Sequence, residues 1–237
     1  MALHKKRVAR LIRSFAILLL IVGAVYGLGW SKIFSVKTIA ISGTQQSSVL
    51  TNTLQSAHIE LRTGMPLARV DVRAIDRIAL QSGWIKSSEI SRNWLKGSVS
   101  IRVIERIPVA SYLDGDGSIK YFDALGNIFT TPSAFTNLPT IAFTHSTPEL
   151  RIVAASWVAE MPADLLAQMQ NLWVNSQDRI VMKAAISVPS AKIITINWGG
   201  VRDLPLKVKV LRALLLRPEN AQHNNFDLSE PLAPITR

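Results

Sequence analysis

Residues 14–31 read SFAILLLIVGAVYGLGWS, without one charged side chain. As a helix these 18 residues extend about 27 Å. That is near the shortest length that crosses a bilayer, and Leu11 and Ile12 lengthen the run on its inner side. Apolar positions go all the way round the helix, so the pattern favours a membrane over a core stripe. Tyr26 and Trp30 stand at the outer end, where amphipathic rings settle among headgroups.

After this run the pattern changes to short alternating and helical segments. FSVKTIAIS at 34–42, with Val36, Ile39 and Ile41 apolar, predicts a strand ended by Gly43. Ser47-Ser48 is placed to cap a helix reaching about residue 58, with Val49, Leu50 and Leu54 on one face. Gly64-Met65-Pro66 breaks the chain. Val72, Ile75, Ile78 and Ala79 stripe a second helix over 70–81, with Asp71 near its start. Strands follow at 85–91 and 98–105, joined around 93–97. The order β-α-α-β-β is a compact α/β unit in which Trp84, Ile75, Ile78, Ile39 and Ile101 should pack between helices and sheet.

Beyond it, Asp114-Gly115-Asp116-Gly117 predicts a hairpin between strands at 109–113 and 119–122, and Gly126-Asn127 marks another turn. Residues 132–139 read as a loop, 147–160 and 163–172 as helices. Strands at 180–187 and 192–198 flank a turn at Pro189-Ser190. Residues 207–217 form a basic helix with Val208, Val210, Leu211, Leu214 and Leu215 inward, and a last short strand lies at 225–229 before a proline-marked tail. The fold class is therefore α+β, with an N-terminal transmembrane helix, a β-α-α-β-β domain and a β-rich domain with flanking helices.

Charge gives the chain a direction. Net charge is +11, and Lys5, Lys6, Arg7, Arg10 and Arg13 lie in the first thirteen residues with no acid among them. Only Lys32 and Lys37 lie close on the other side of the apolar run, which puts residues 1–13 in the cytoplasm as a basic tail and 32–237 outside. A cleaved signal peptide shares the basic and apolar regions, but no A-x-A site follows and the run is long. Without those five residues, 22 basic side chains stand against 16 acidic, or +6. That mild excess suits a surface near anionic lipid or wall polymer, and no RNA-binding motif or recognition helix is present, so no nucleic-acid partner is expected.

Candidate chemistry is sparse. The absence of cysteine excludes thiolate metal sites, thiol nucleophiles and disulfides. His4, His58, His145 and His223 are scattered, and no G-x-S-x-G, S-x-x-K or phosphate-binding glycine loop occurs. The Asp114–Ser118 stretch would need Gly at Ile119 and Glu at Leu125 to ligate calcium, so it reads as a turn. Lys207, Lys209, Arg212 and Arg217 read as the solvated side of an amphipathic helix. No enzyme activity, cofactor, metal or small-molecule substrate is expected.

A basic tail and one apolar run, followed at once by FSVKTIAISG, then GWIK, WLKGSVSIRVIERIPVASY, YFDALGNIF and LPTI, form an ordered series. It resembles the FtsQ/DivIB family of bacterial cell-division proteins along essentially the whole chain. The most specific part is E-R-x-P-V-A (Glu105, Arg106, Pro108, Val109, Ala110) with D-x-x-G-x-x-F behind it (Asp123, Gly126, Phe129). The ending NFDLSEPLAPITR is similar to the family's form in high-GC Gram-positive bacteria. Trp94-Leu95 departs from the Trp-Pro that the family usually has before the strand at 98–105. The resemblance implies a polypeptide-transport-associated (POTRA) domain over 34–106, a β domain over 107–229 and a tail over 230–237. It also implies a non-enzymatic scaffold at the division septum that recruits FtsB/DivIC-like and FtsL-like membrane proteins. A POTRA-type transport or assembly factor and an anchored wall hydrolase are the rival readings; the first lacks room for a barrel, the second a catalytic cluster.

The last strand is the candidate partner site. Pro231 and Pro234 cannot donate to a ladder, and an unpaired strand edge invites a partner's strand. Asn225, Phe226, Asp227, Leu228 and Ser229 would form the recognition edge, with Lys209, Arg212 and Arg217 attracting acidic residues. The resemblance implies the same edge. In the alternative reading Phe226 fills the core.

Overall fold

The computed structural model describes residues 2–30, 34–135, 137–187 and 191–237, and within the first helix the side chains of residues 12–27. The turn expected at Pro189-Ser190, the outer limit of the apolar run at Ser31 and Lys32, and the side chains of Lys5, Lys6, Arg7 and Arg10 lie outside the described residues. The fold is mixed α+β, in two compact units, Met1–Glu105 and Arg106–Arg237.

The first unit opens with α1 (Ala2–Trp30). Among the described residues no helix is long and apolar enough to cross a membrane. The described side chains of α1 from Ile12 to Tyr26 are exposed, Phe15, Leu20 and Val25 among them. Then come β1 (Thr38–Ser42), α2 (Ser47–Ser56), a 3-10 turn (Leu67–Arg69), α3 (Val72–Gln81), β2 (Ile85–Asn93) and β3 (Ser98–Glu105). The sheet order is β1-β3-β2, with β1 parallel and β2 antiparallel to the central β3. Alternation along β3 sends Val99, Ile101 and Val103 into the core.

Leu50, Leu54, Ile75, Ala79 and Trp84 are buried with them, whereas Ile39 and Ile78 stay half-buried. Two helix starts differ from expectation for capping reasons. Asp71 accepts the Ala74 N–H at 2.9 Å, so α3 begins at Val72 and Val70 is extended. Gln46, not Ser47 or Ser48, occupies the N-cap of α2, with its own N–H held by Thr44 Oγ1 at 2.8 Å.

In the second unit β4 (Ala110–Leu113), β5 (Ile119–Phe122) and β6 (Ile128–Phe129) form a three-stranded antiparallel sheet. The rest is β7 (Ile141–Phe143), α4 (Pro148–Glu160), α5 (Ala163–Gln168), β8 (Met169–Ser176), β9 (Arg179–Ile186), β10 (Lys192–Gly199), α6 (Leu204–Leu215), β11 (Asn225–Asp227) and β12 (Ile235–Thr236). These strands form a six-stranded sheet in the order β12-β11-β10-β9-β8-β7. The core includes Trp157 of α4 and Trp198 of β10, meeting edge to face at 6.0 Å, with Val208, Leu211 and Leu214 of α6.

The helix expected over 163–172 stops at Gln168. From Met169 the period is two, with Leu172 and Val174 buried, and β9 supplies the antiparallel partner. The expected tail after Pro231 is also corrected. The chain turns back and adds β12, antiparallel to β11.

Candidate functional site

The free end of the six-stranded sheet is the candidate site. β11 lies parallel to β10, with Phe226 opposite Ile196, and the Leu228 N–H reaches the Asn197 carbonyl at 2.8 Å. A parallel neighbour requires a crossover, supplied by α6 and the 3-10 turn Pro218–Asn220. Lys192 fastens that crossover. Its Nζ donates to the carbonyls of Asn220, Ala221 and His223 at 3.1, 3.3 and 2.9 Å and lies 5.4 Å from the centre of the Phe226 ring.

β12 then covers β11. Asn225 and Arg237 exchange main-chain bonds of 2.8 and 2.9 Å, while Phe226 faces Thr236 and Asp227 faces Ile235. Antiparallel alternation turns the N–H and C=O of Thr236 outward, away from β11. The Thr236 hydroxyl donates to Asn220 Oδ1 at 3.2 Å and contacts His223 Nδ1 at 2.9 Å. Asn220 Nδ2 in turn reaches the Leu214 carbonyl at 3.0 Å.

The sequence-predicted residues therefore divide. Phe226 and Leu228 are 1% and 0% exposed and belong to the core, so the edge lies one strand beyond them. Asn225 and Ser229 are exposed and Asp227 is half-buried. Asp227 accepts from Asn197 Nδ2 at 3.0 Å and from the Ser229 N–H and hydroxyl at 3.0 and 2.6 Å. Burial raises its pKa, but the bonds from Ser229 and Asn197, with the pull of Arg237, outweigh that and leave it below the ordinary carboxylate value.

Lys209 is exposed on α6. Arg212 donates to both oxygens of Asp164 at 2.7 and 3.0 Å, and Arg217 lies 3.9 Å from Glu219. Lys207 is corrected from surface to interior: it is 3% exposed, and its Nζ donates to the Trp198 and Gly200 carbonyls at 2.7 and 3.0 Å. Burial pushes its pKa down, against the attraction of Asp203 and Glu230. Sequence reasoning missed Lys192, Asn220, His223 and Thr236, which are joined only through space; two strand residues after Pro234 give no period to detect.

The E-R-x-P-V-A and D-x-x-G-x-x-F strings meet in a separate knot. Arg106 and Asp123 pair at 2.7 Å. Asp123 Oδ1 also accepts the Leu125 and Asn127 N–H groups, both at 3.0 Å. Gly126, at φ +74, presents its carbonyl to the buried Arg151 Nε at 2.6 Å. A Cβ there would stand 2.8 Å from the Pro148 carbonyl oxygen, so the turn docks on α4 only as glycine. Asp114 and Asp116 bind the N–H groups of their own turn. Among the described residues no group of three or more His, Asp or Glu is placed to hold a metal ion.

These features define an α+β protein of two units whose second unit carries a short strand edge at β12. The chain is 30% identical over 237 aligned residues to the cell division protein FtsQ of Streptomyces venezuelae, covering 95% of this chain and 83% of that protein. It is 29% identical over 203 aligned residues to the cell division protein FtsQ of Streptomyces griseus, covering 81% of this chain and 93% of that one. No protein-family model matches. The chain belongs to the FtsQ/DivIB family of cell-division proteins, and its role is in cell division.

Proposed function

We propose that the chain is a non-enzymatic scaffold of the division septum, anchored by residues 14–31 as a single membrane span, with residues 34–106 as its POTRA domain. It recruits FtsB/DivIC-like and FtsL-like membrane proteins through the end of the six-stranded sheet. The observation that carries the recruitment is the outward-facing main chain of Thr236 at the β12 edge, where a partner strand can continue the ladder. Asn225, Asp227 and Ser229 lie beside it on β11 and after it, and Lys209, Arg212 and Arg217 supply positive charge for acidic partner residues. Phe226 and Leu228 hold the strand from beneath.

The scaffold reading is supported by where the shifted titratable groups are used: Asp123 and Asp227 tie turns, and Lys207 ties main-chain carbonyls. The anchor reading is supported by the uncharged run 14–31 and its basic N-terminal flank.

The test is capture of the co-expressed FtsB/DivIC-like and FtsL-like proteins by the full chain and by Thr236→Pro. Proline removes the outward donor, and capture should fall at least tenfold while the circular dichroism spectrum is kept. Thr236→Val, which retains the donor and loses only the hydroxyl bonds to Asn220 and His223, should capture normally. Undiminished capture by Thr236→Pro would place the interface elsewhere.

A further inference from the structure

The hairpin joining β2 to β3 ends in Trp94-Leu95-Lys96-Gly97. Leu95 is 94% exposed, the highest value for a large apolar side chain among the described residues, and Trp94 is 36% exposed. A lone exposed leucine means nothing by itself. The surroundings of this one do. The Trp94 ring meets Phe34 edge-on at 6.2 Å, and the Arg92 guanidinium lies 5.5 Å from the Trp94 ring centre.

The Gly97 carbonyl accepts the Lys37 N–H at 2.7 Å, and at φ +68 a Cβ on Gly97 would come 2.8 Å from the Ser35 carbonyl oxygen. The tip is therefore fastened to residues 34–37. Phe34 follows Trp30, the last residue of α1, by four positions. The two Cα atoms are at most about 14 Å apart, whatever path the chain takes.

A second tie brings the same elements together. α1 also lies against the turn Leu67–Arg69. Arg92 Nη1 donates to the Leu67 and Val70 carbonyls at 3.2 and 3.3 Å. Lys37, Arg69 and Lys96 are exposed, and neither 34–42 nor 90–97 contains an acidic residue.

We propose that this hairpin tip is a second membrane contact of the protein, in which Trp94 and Leu95 enter the headgroup layer beside α1 and Lys37 and Lys96 bind anionic phospholipid. The inference rests on reading α1 as a membrane span. An indole ring settles in that layer, and lysine stems lie along apolar surface while their ammonium groups reach phosphate. The layer is about 5–8 Å deep on each side of the hydrocarbon, within reach of a tip held this close to the helix end. Two contacts in one bilayer fix the tilt of the first unit, as two linked binding sites restrict a ligand.

The chain has no cysteine, so single spin labels can be placed in the full-length protein in nanodiscs at F15C, L95C and I104C. Ile104 is exposed at the other end of β3, about 20 Å along the strand from Ser98. Oxygen and a water-soluble nickel chelate then report the surroundings of each label. The label at 15 should sit in lipid and that at 104 in water. The label at 95 should be shielded from nickel in discs of phosphatidylcholine mixed with phosphatidylglycerol, and less so in phosphatidylcholine alone. Lys37→Gln and Lys96→Gln should each lower the bound-to-free ratio about fivefold.

In the unlabelled protein, amide exchange at 93–97 should slow when anionic lipid is present, and Leu95→Asp should abolish the slowing. A label at 95 as nickel-accessible as that at 104 in both lipids, with the label at 15 in lipid, would overturn this contact and leave the span standing. Water around the label at 15 would remove the span reading and this one with it.

Discussion

Asp123 shows how one side chain can gather a family motif into a structure. Its carboxylate takes the Arg106 guanidinium at 2.7 Å, two main-chain N–H groups and the Asn127 amide. Burial raises its pKa, but the Asn127, Arg106 and Leu125 bonds together hold it below the ordinary value. A carboxylate whose folded pKa is depressed stabilises the protein above its unfolded pKa, near 3.9. That stability is lost as pH falls through the still lower folded value. Asp123→Asn should cost about 2–3 kcal/mol at neutral pH, because the charge-assisted bonds go while Arg106 and the N–H groups remain. Urea titrations at neutral pH and below pH 4 check both parts. The loss should be full at neutral pH and shrink in acid, and an equal loss at both would remove the ionised carboxylate from the account.

At the scale of elements, β11 and β12 divide the work that a last strand was expected to do alone. β11 is an interior strand: Phe226 and Leu228 are buried and the Leu228 N–H is bonded to Asn197. Leu228→Pro therefore deletes an internal donor and a buried side chain together. It should destabilise the second unit by about 3 kcal/mol or more. The same change at Thr236 removes an outward donor and the hydroxyl bonds to Asn220 and His223, and should weaken binding while costing far less stability than Leu228→Pro. Urea unfolding of the two variants beside capture of partners separates them. Equal melting of Leu228→Pro and the parent protein would contradict the sheet order.

At the scale of the whole molecule the proposal is a direction across a membrane. The five basic residues before the run 14–31 and the sparse charge after it support a cytoplasmic N-terminus. Protease added to intact protoplasts should digest residues 32–237 and leave a short N-terminal fragment carrying the tail. Full protection of both units would reverse the orientation or remove the span. In that orientation the mild charge of the remainder, +6, would face the outer leaflet and the wall, where the hairpin tip at 94–96 would meet its lipid.

What the sequence determined by itself were features written in local periods and local chemistry. Alternation marked β1, apolar segments around the expected turn at 189–190 marked β9 and β10, a helical stripe marked α3 and α6, and Asp114-Gly115-Asp116-Gly117 marked the β4–β5 hairpin. An ordered set of motifs was enough for the family. Tertiary structure alone decided which strands distant in the chain are neighbours. β8 reads as part of a helix until β9 provides its partner, and β12 has two residues, too few to carry a period. Lys207 shows the same limit in one side chain: its spacing puts it on the basic side of α6, but the carbonyls of Trp198 and Gly200 receive it in the interior. Strand pairing and buried polar contacts join residues distant in the chain, and no local pattern encodes the distance between them.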